Sequence, residues 1–448
     1  MINTKTYTAK KIAEIIDGEL LCDDCEINYI STDSREQGDF NRCFFAIKGS
    51  KYDGEDFVDD AIKNGAKIVV SSNKKRRKGI IYVDDVKLAL MKLAKFNKGS
   101  TKIIAVTGSA GKTTVKEMIN LVVSQKYKSI CTFSNNNNEI GLAQTLLSIT
   151  DEEYCIVEMG MRRPGEIDFL AKIAEPDISI ITNVGSAHIE LLETKENIYK
   201  AKSEILPYTK NYAILPSDEW FKKIDYKSLK YIFIGESSSV KIKAIDYFES
   251  GINVTIFDNN LNTETTVKIH TFFLHDAQNF LFAYMVGRLL DIPQESIKQG
   301  IFEFKNYKNR GEILKIGKLT VIDDCYNASY ESVKNGIFSL FQYAKNQNKN
   351  SILVMGDMLE IGKKSFAFHK QIGKYAKEIG IKNILALGKY SKAICDGFEG
   401  GITFRFKSDI AQYICKNLDS NNIILIKASR NMHFETIIDE LKERLNEN

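Results

Sequence analysis

The chain has 448 residues, a length that suits roughly two to four domains of ordinary size. Hydrophobic residues make up 44% and charged residues 27%, which is typical of a folded globular protein and excludes a disordered one. The net charge of +4 is too small an excess on such a chain to indicate a nucleic-acid binder. We see neither an apolar stretch of about 18 residues nor a signal peptide, so we predict a cytoplasmic protein without membrane insertion.

The first 84 residues predict a small mixed α/β domain. The apolar runs at residues 44–47 and 67–70 are typical of short strands, and a helix is expected over residues 57–64 between them. A basic run at residues 74–78 is interpreted as a solvated loop, because it directly precedes an apolar segment.

Eight cysteines are scattered along the chain. Cys22 and Cys25 form a C-x-x-C pair, but no second pair follows at the spacing of a zinc site. Free thiols in a reducing compartment are therefore expected, and the pair carries no functional prediction.

Residues 85–310 predict a doubly wound α/β domain. Its continuous apolar runs are typical of strands buried on both faces of a parallel sheet, and helical segments alternate with them. These runs lie at residues 103–106, 155–157 and 178–181. Residues 311–448 repeat the pattern and predict a Rossmann-like third domain. Its four buried strands are expected at residues 321–322, 352–355, 384–387 and 423–426.

The strongest functional signal is the loop T-G-S-A-G-K-T-T at residues 107–114, between a strand and an expected helix. Its glycines let backbone N–H groups curl around phosphate oxygens, and the helix N-terminus attracts anions. The first glycine of the usual P-loop is replaced by Val106, but the strand–loop–helix context is retained. The predicted ATP-binding residues are Gly108, Ser109, Ala110, Gly111, Lys112, Thr113 and Thr114.

Two more side chains are expected at the same edge of the sheet. Glu158 ends an apolar run, and His188 lies just past the next one. Ligands of open α/β sheets bind outside the carboxyl ends of the strands. Because Mg²⁺ prefers oxygen ligands and accepts an occasional imidazole, Thr113, Glu158 and His188 are predicted metal ligands. Lys112 would reach the β- and γ-phosphates.

Lys202 is unusual for a lysine. In the helix expected over residues 195–206, Ile198, Ala201 and Ile205 mark the buried face, and Lys202 lies on the same side. A bare buried ammonium is costly. The side chain either extends its charge to the surface, or it is covalently modified or takes part in a metal site. Periodicity alone leaves these alternatives open.

Seven stretches of the chain resemble the Mur ligases, the ATP-dependent amide-forming enzymes of peptidoglycan synthesis. The resemblance extends from about Ser31 to Ile438. The V-K-E at residues 115–117 and the N-N-E-I-G at residues 137–141 are typical of the branch that adds D-alanyl-D-alanine. The stretches are T-D-S-R at 32–35 with F-F-A-I-K-G at 44–49; T-G-S-A-G-K-T-T-V-K-E-M at 107–118; N-N-E-I-G at 137–141; E-M-G-M at 158–161; T-N-V-G-S-A-H-I-E-L-L at 182–192 with A-K at 201–202; D-D-C-Y-N-A-S at 323–329; and G-D-M-L-E at 356–360 with K-A-S-R at 427–430.

The resemblance implies a three-domain, ADP-forming peptide ligase that adds D-alanyl-D-alanine to UDP-N-acetylmuramoyl-tripeptide. The reaction would pass through an acyl phosphate and a tetrahedral intermediate. The resemblance also implies two Mg²⁺ ions and a carbamate on Lys202, which would turn that cation into an anionic metal ligand. The expected enzyme is a cytoplasmic monomer whose partners are these two substrates.

The resemblance further implies roles for residues outside the phosphate loop. The UDP group would contact Ser34, Arg35 and Gly49, and the substrate would be positioned at the domain junction by Asn137, Asn138 and Glu139. The nucleotide would contact Asn279, Arg310, Asp324, Tyr326 and Asn327. The incoming amine or the phosphate would contact Lys427, Ser429 and Arg430.

Two alternatives stay open from the sequence. One is another Mur-type or folylpolyglutamate synthase-like amide ligase, although the D-S-R and F-F-A-I-K-G segments favour a UDP-linked substrate. The other is a P-loop regulatory protein that uses ATP as a switch, which would leave Lys202 and His188 unused. Three positions depart from the family pattern, namely Asp276 for Asn, Tyr330 for Pro and Ala428 for Gly.

Overall fold

Three large sheets, each formed by a consecutive part of the chain, organise the molecule. The computed structural model describes residues 2–38, 40–49, 51–73, 79–185, 192–222, 229–235, 238–248, 250–306, 308–359 and 361–446. The basic run at 74–78, His188 and Glu360 lie outside these residues. The predicted fold class, α/β with a small mixed domain, a parallel-sheet P-loop domain and a Rossmann-like domain, is confirmed.

The N-terminal sheet has parallel inner strands and antiparallel edges. Its elements are β1 (Ile2–Thr8), α1 (Ala9–Ile15), β2 (Glu19–Leu20), β3 (Glu26–Ser31), β4 (Arg42–Phe45), a 3₁₀ turn (Gly54–Phe57), α2 (Val58–Lys63), β5 (Ala66–Ser71) and β6 (Ile80–Tyr82). The strand order is β1-β3-β4-β5-β6-β2, with β1 and β2 as the antiparallel edges. The two strands and the helix predicted for this region are present.

Helix α3 (Val86–Lys98) connects the N-terminal sheet to the central one. Its buried face belongs to one apolar core that also contains residues from both sheets. Near its end, the buried Asn97 side chain accepts hydrogen bonds from the hydroxyls of Thr4 and Tyr7. The same side chain donates to the carbonyls of residues 146, 147 and 149. Asn97 therefore joins the first strand directly to the central domain.

The central sheet is entirely parallel. Its elements are β7 (Lys102–Thr107), α4 (Lys112–Val123), β8 (Ser129–Cys131), α5 (Glu139–Leu147), β9 (Tyr154–Glu158), α6 (Glu166–Ala174), β10 (Ile178–Ile181), α7 (Lys195–Ser203), a 3₁₀ turn (Leu206–Tyr208), β11 (Tyr212–Pro216) and β12 (Lys230–Ile234). The order β12-β11-β10-β7-β9-β8 places β7 between β10 and β9. Helix α7 ends earlier than predicted, because Pro207 follows and its turn is 3₁₀.

A small antiparallel sheet of three strands follows the central sheet. Its strands and the two helices after it are β13 (Val240–Phe248), β14 (Gly251–Asp258), β15 (Thr263–Ile269), α8 (Asp276–Leu289) and α9 (Gln294–Phe302). The sequence analysis did not predict this sheet.

The C-terminal sheet is parallel apart from its first strand. Its elements are β16 (Glu312–Ile316), β17 (Leu319–Asp324), α10 (Tyr330–Asn346), β18 (Asn350–Met355), a 3₁₀ turn (Gly362–Lys364), α11 (Ser365–Ile379), β19 (Asn383–Leu387), α12 (Ser391–Phe398), β20 (Ile402–Phe404), α13 (Lys407–Asn417), β21 (Asn422–Lys427), a 3₁₀ turn (Arg430–Met432) and α14 (Glu435–Asn446). The order β16-β17-β21-β18-β19-β20 places β21 between β17 and β18, so Asp324 and Lys427 are neighbours. Among the described residues, no helix has both the length and the apolar character needed to cross a membrane.

Candidate active site

A cleft of about 980 Å³ is lined by residues of the central and C-terminal domains. On the central side, its wall contains the phosphate loop and the carboxyl end of β9 at Glu158. On the C-terminal side, it contains the ends of β17 and β21 at Asp324 and Lys427. The carboxyl ends of strands from two different sheets therefore face one space.

The phosphate loop has the backbone that its glycines allow. Gly108 and Gly111 adopt φ angles of +150° and +79°, which side chains rarely permit. A Cβ atom at Gly108 would lie only 1.9 Å from Thr182 Oγ1. The loop is also tied to the segment after β10, because Ser109 N–H donates to the Asn183 carbonyl at 3.1 Å. It therefore has a fixed shape before any ligand is considered.

The first two residues of helix α4 aim polar groups at the cleft. The half-buried Lys112 side chain donates to the Gly108 carbonyl at 2.9 Å through its ammonium. Burial lowers the pKa of Lys112, and the Glu158 carboxylate opposes that shift. The Thr113 hydroxyl donates to Glu158 Oε2 at 2.8 Å. The structure thus brings together Lys112, Thr113 and Glu158, three of the five residues predicted to act on the phosphates and metal.

The other oxygen of Glu158 is held as well, since Asn137 Nδ2 donates to Oε1 at 2.9 Å. The Thr113 hydroxyl and the Glu158 carboxylate are oxygen donors, which is the chemistry that Mg²⁺ prefers, so these residues fit the metal. Among the described residues, no three His, Cys, Asp or Glu side chains form a group that could hold a metal ion. The predicted imidazole ligand, His188, lies outside the described residues.

Lys202 is buried as its helical position predicted, with 2% of its surface exposed. In the part of the chain that the structure describes, its ammonium makes no hydrogen bond or ion pair. Burial, and then the nearby Lys112 charge, hold the pKa of Lys202 well below its usual value. A side chain that extended its charge to the surface would be exposed, so burial argues against that alternative.

Asn279, predicted near the nucleotide, lies against the phosphate loop. A Cβ atom at Gly111 would approach Asn279 Oδ1 to 2.7 Å. Asn279 Nδ2 donates to Asp276 Oδ1 at 2.8 Å, and the Thr271 hydroxyl donates to the other oxygen of Asp276 at 2.5 Å. The departure from the family pattern at position 276 therefore supplies a carboxylate that orients Asn279.

The C-terminal wall contains a buried ion pair. Lys427 Nζ lies 2.5 Å from Asp324 Oδ2 and donates to the Asn327 carbonyl at 3.0 Å. Burial raises the pKa of Asp324, and the Lys427 charge opposes the increase. The Arg310 guanidinium stacks 3.7 Å from the centroid of the Tyr326 ring. The predicted nucleotide residues of this domain thus lie together at the cleft.

Two further predicted site residues of the K-A-S-R segment, Ser429 and Arg430, have contacts elsewhere. The buried Ser429 hydroxyl accepts a hydrogen bond from Leu359 N–H at 2.8 Å. Arg430 is exposed and lies 3.4 Å from Glu435. The described lining of the cleft includes neither of them. Ser429 therefore holds the G-D-M-L-E loop, and its hydroxyl also donates to the Ala328 carbonyl at 3.5 Å.

The structure does not bring the predicted UDP-binding residues to the cleft, because Ser34, Arg35 and Gly49 are absent from its described lining. Arg35 donates to both carboxylate oxygens of Asp33, at 2.9 and 2.7 Å, and lowers the pKa of Asp33 to about 2. Gly49 N–H donates to the Tyr52 carbonyl at 2.9 Å. These residues belong to the N-terminal domain, and their described contacts are local to it.

Two predicted substrate residues line the cleft at the start of helix α5. The Asn138 side chain caps the helix by accepting a hydrogen bond from Gly141 N–H at 2.9 Å. Glu139 forms an ion pair with Lys87 of helix α3. The sequence analysis missed Lys87, which also lines the cleft, because nothing in its local pattern distinguishes it from other surface lysines.

Sequence comparison places these features in a known family. Three family descriptions match the chain: "Mur ligase family, catalytic domain" at residues 26–107, "Mur ligase middle domain" at residues 106–287, and "Mur ligase, glutamate ligase domain" at residues 309–430. A relative from Bacillus subtilis, UDP-N-acetylmuramoyl-tripeptide–D-alanyl-D-alanine ligase, is 33% identical over 97% of this chain and 98% of its own. The chain belongs to the Mur ligase family. The resemblance that the sequence motifs indicated is confirmed.

Solved structures agree with this assignment of the Mur ligase. A crystal structure of MurF from Acinetobacter baumannii aligns with a TM-score of 0.90 and 28% identity, covering 99% of this chain and 100% of that one. MurF ligase from Thermotoga maritima, solved in complex with ADP, aligns with a TM-score of 0.84 and 27% identity, covering 94% and 98%. The similarity therefore extends across all three domains.

Proposed function

We propose that this Mur ligase joins D-alanyl-D-alanine to UDP-N-acetylmuramoyl-tripeptide while ATP is cleaved to ADP and phosphate. The Bacillus subtilis relative bears the name of that ligase, and the Thermotoga maritima neighbour was solved with ADP. The single observation that supports the proposal most is the cleft that contains both the phosphate loop and the Asp324–Lys427 pair. A ligase must bring a nucleotide, an acid and an amine together, and a cleft between two domains suits that task.

We assign one role to each domain. Residues 1–84 hold the UDP group, residues 85–310 hold ATP, and residues 311–448 hold the incoming dipeptide. At the first of these sites, Arg35 now pairs with Asp33 at the surface. An exposed pair of this kind contributes roughly 0–1 kcal/mol, so a diphosphate can displace it. One chain supplies both walls of the cleft, which supports a monomer acting in the cytoplasm, where ATP and nucleotide-linked precursors are found.

The first step activates the tripeptide carboxylate, which is a poor acyl donor. The carboxylate attacks the γ-phosphorus, an acyl phosphate forms, and ADP leaves. Lys112 exchanges its contact with the Gly108 carbonyl for the phosphate oxygens. A desolvated ammonium interacts strongly with an anion in such a site, so Lys112 stabilises the charge that develops during the transfer. The N–H groups of the loop orient the phosphates.

Thr113 and Glu158 would hold one Mg²⁺, and His188 with a carbamylated Lys202 would hold the second. The ions would neutralise charge between two anionic reactants. The structure supports the carbamate in one respect, because the lowered pKa of Lys202 favours its neutral amine. That nitrogen attacks the carbon of CO₂, forms a C–N bond and loses one proton to water. The product is an anion that carries two oxygen donors.

The second step forms the peptide bond. The dipeptide amine attacks the acyl carbonyl, and the tetrahedral intermediate expels phosphate. Arg310 and Tyr326 would contact the nucleotide from the C-terminal side, together with Asn327. Lys427, held by Asp324, would face the anionic groups. Because the acyl phosphate is sensitive to water, we expect the two walls to approach each other during the reaction.

The experiment that tests the proposal measures phosphate release from ATP. UDP-N-acetylmuramoyl-tripeptide is supplied, and D-alanyl-D-alanine is added or withheld. We expect release that requires both substrates, together with a new mass for the UDP-pentapeptide. Release that needs a different amine would keep the family and change the substrate. Release without any dependence on the UDP-substrate would contradict the proposal.

A further inference from the structure

Lys116 is the other lysine on helix α4, one turn after Lys112, and its side chain has no exposed surface. Its ammonium donates to the carbonyls of Thr132 and Ser134, the latter at 2.9 Å, and lies 2.5 Å from Glu117 Oε1. Lys116 is the lysine of the V-K-E segment. The segment that it holds leads directly into N-N-E-I-G, so the structure joins the two motifs typical of one ligase branch.

We call residues 132–138 the asparagine loop. The first residue of this loop, the buried Thr132, is held by strand β9, since its N–H donates to the Ile156 carbonyl at 2.9 Å. Apolar burial does not fix the next residues, because Phe133 is 82% exposed. Ser134 adopts a left-handed φ of +53°, which few residues other than glycine adopt without support. The bond from Lys116 to the Ser134 carbonyl therefore constrains the part of the loop that neither β9 nor apolar packing holds.

The far end of the asparagine loop contacts the metal site. Asn137 accepts a hydrogen bond from Gly160 N–H through its carbonyl at 2.8 Å. Its side-chain amide donates to Glu158 Oε1 at 2.9 Å, while the Thr113 hydroxyl binds the other oxygen. The contacts thus form a closed ring that leaves helix α4 at Lys116 and returns to it at Thr113.

We propose that Lys116 is a positioning residue of the ligase, which acts through the asparagine loop and Asn137 to orient the Glu158 carboxylate. A carboxylate held at one oxygen alone can rotate, whereas one held at both oxygens keeps the orientation that a metal requires. Lys116 touches neither the nucleotide nor the metal in this scheme. The inference rests on the role proposed above for Glu158.

A double-mutant cycle tests whether Lys116 acts through Asn137. The affinity for Mg²⁺–ATPγS is measured by calorimetry for the wild type, Lys116→Met, Asn137→Ala and the double variant. Loss of a side chain that orients a metal ligand typically weakens metal binding about 10- to 100-fold, so each single variant should bind about 10-fold more weakly. If Lys116 acts through Asn137, the double variant should bind Mg²⁺–ATPγS no more weakly than the single variant that has the lower affinity. A double loss equal to the product of the two single losses would overturn the proposal.

Lys126→Met is the matched control. Lys126 also donates to two carbonyls, those of Leu290 and Asp291 at 3.3 and 2.8 Å, but it lies outside the described cleft. We expect this variant to bind the nucleotide as the wild type does. A loss equal to that of Lys116→Met would mean that any anchoring lysine has this effect, and would overturn the proposal.

A second variant tests the same contact without changing a buried residue of helix α4. A Cβ atom at Gly160 would lie 2.6 Å from the amide carbon of Asn137, so Gly160→Ala should displace that amide from Glu158. It should weaken Mg²⁺–ATPγS binding about as much as Asn137→Ala and add nothing to it. If Lys116→Met fails to fold, Lys116→Gln, which retains a donor, takes its place in the cycle. Wild-type affinity in Gly160→Ala would overturn the proposal.

Glu158→Gln separates this inference from the proposed function. If the variant binds Mg²⁺–ATPγS like the wild type, Glu158 is not a metal ligand, and both its proposed role and the positioning role of Lys116 fail. If Glu158→Gln weakens binding but Lys116→Met and Asn137→Ala weaken it independently, the role of Glu158 stands and only the positioning role of Lys116 fails. Thermal unfolding of each variant shows that the folded protein is being compared.

Discussion

The two walls of the cleft differ in whether their lysine side chains have an ion-pair partner. On the C-terminal wall, Lys427 and Asp324 neutralise each other within 2.5 Å. On the central wall, Lys112 has only a carbonyl as its hydrogen-bond partner among the described residues. The Lys112 charge also helps to lower the pKa of Lys202, which has no hydrogen-bond partner among those residues. An ammonium that is desolvated without an ion pair, such as that of Lys112, costs stability but is available to an anion. The central wall is therefore built to receive phosphate, whereas the C-terminal wall is already satisfied without a ligand.

The largest expected effect comes from breaking the pair on the C-terminal wall. Asp324→Ala would leave the buried Lys427 ammonium with the Asn327 carbonyl alone among its described partners. Removing one member of a buried pair costs about 3–5 kcal/mol, which urea unfolding would detect as a lower midpoint. The double variant Asp324→Ala/Lys427→Met should recover most of that loss. An unchanged midpoint for Asp324→Ala would show that the pair is not a stabilising contact.

Removing the Lys112 charge from the central wall should lower activity and leave the free energy of unfolding unchanged. Lys112→Ala removes an ammonium whose burial already lowers its pKa, so the unfolding midpoint should not fall. Turnover in the phosphate-release assay should drop about 10²- to 10³-fold. The exposed Lys128→Ala serves as the control and should retain full turnover. Activity of Lys112→Ala within a few-fold of the wild type would contradict the role of Lys112.

Lys202 provides a further test, because carbamylation is expected to turn its side chain into an anion. Lys202→Ala and Lys202→Arg should each lose activity about 10- to 100-fold, by analogy with other lost metal-site groups. Bicarbonate should not restore either variant. A short carboxylate such as acetate should partly restore the alanine variant, since it supplies the missing oxygens. Full activity in the arginine variant would exclude the carbamate.

A smaller effect is expected where the C-terminal wall meets the nucleotide. Tyr326→Leu removes the ring on which Arg310 stacks. Stacking of this kind contributes about 0.5–2 kcal/mol, so the KM for ATP should rise about 2- to 30-fold with little change in kcat. Tyr326→Phe keeps the ring and should behave as the wild type. Equal KM values for the leucine and phenylalanine variants would mean that the ring is not used.

The smallest expected effect is a pH dependence of stability. It arises from His369, which contacts the G-D-M-L-E loop that Ser429 also holds. The buried His369 accepts a hydrogen bond from Met358 N–H through Nε2 at 2.8 Å, and burial lowers its pKa below 6.5. The unfolded chain therefore takes up a proton at a higher pH than the folded chain, and stability should fall as pH drops through about 6.5. The loss is at most about 1.4 kcal/mol per pH unit. Urea unfolding at pH 7.5 and 5.5 should show a steeper decrease for the wild type than for His369→Gln. Equal decreases would contradict the prediction.

Strands buried on both faces were predictable from the sequence, whereas edge strands were not. Residues 352–355 and 423–426 are continuous apolar runs, and they lie inside β18 and β21. The three-residue edge strand β20 has no such run, and it forms only because β19 lies beside it. Short edge strands depend on tertiary pairing, which local composition does not encode.

In the candidate site, too, local features were predictable from the sequence, whereas long-range contacts were not. Helical periodicity alone predicted that Lys202 is buried, since that property depends on neighbours three and four residues away. The hydrogen bond from Leu359 to Ser429 spans 70 residues, and no spacing rule connects the two. The family resemblance placed Ser429 at the substrate, and the structure shows its hydroxyl bound to a loop. Long-range polar contacts became visible only with the fold.

The position of β21 has a consequence for biosynthesis. This strand lies between β17 and β18 in the sheet, although Lys427 is 103 residues beyond Asp324 in the chain. While the ribosome is still making helices α11 to α13, β17 and β18 each lack their shared neighbour and expose unsatisfied backbone groups. Domains made earlier fold as units during synthesis, so the three preceding sheets can be complete by then. The C-terminal wall of the cleft thus matures after the central wall, and the nascent chain is most prone to misassembly in that interval.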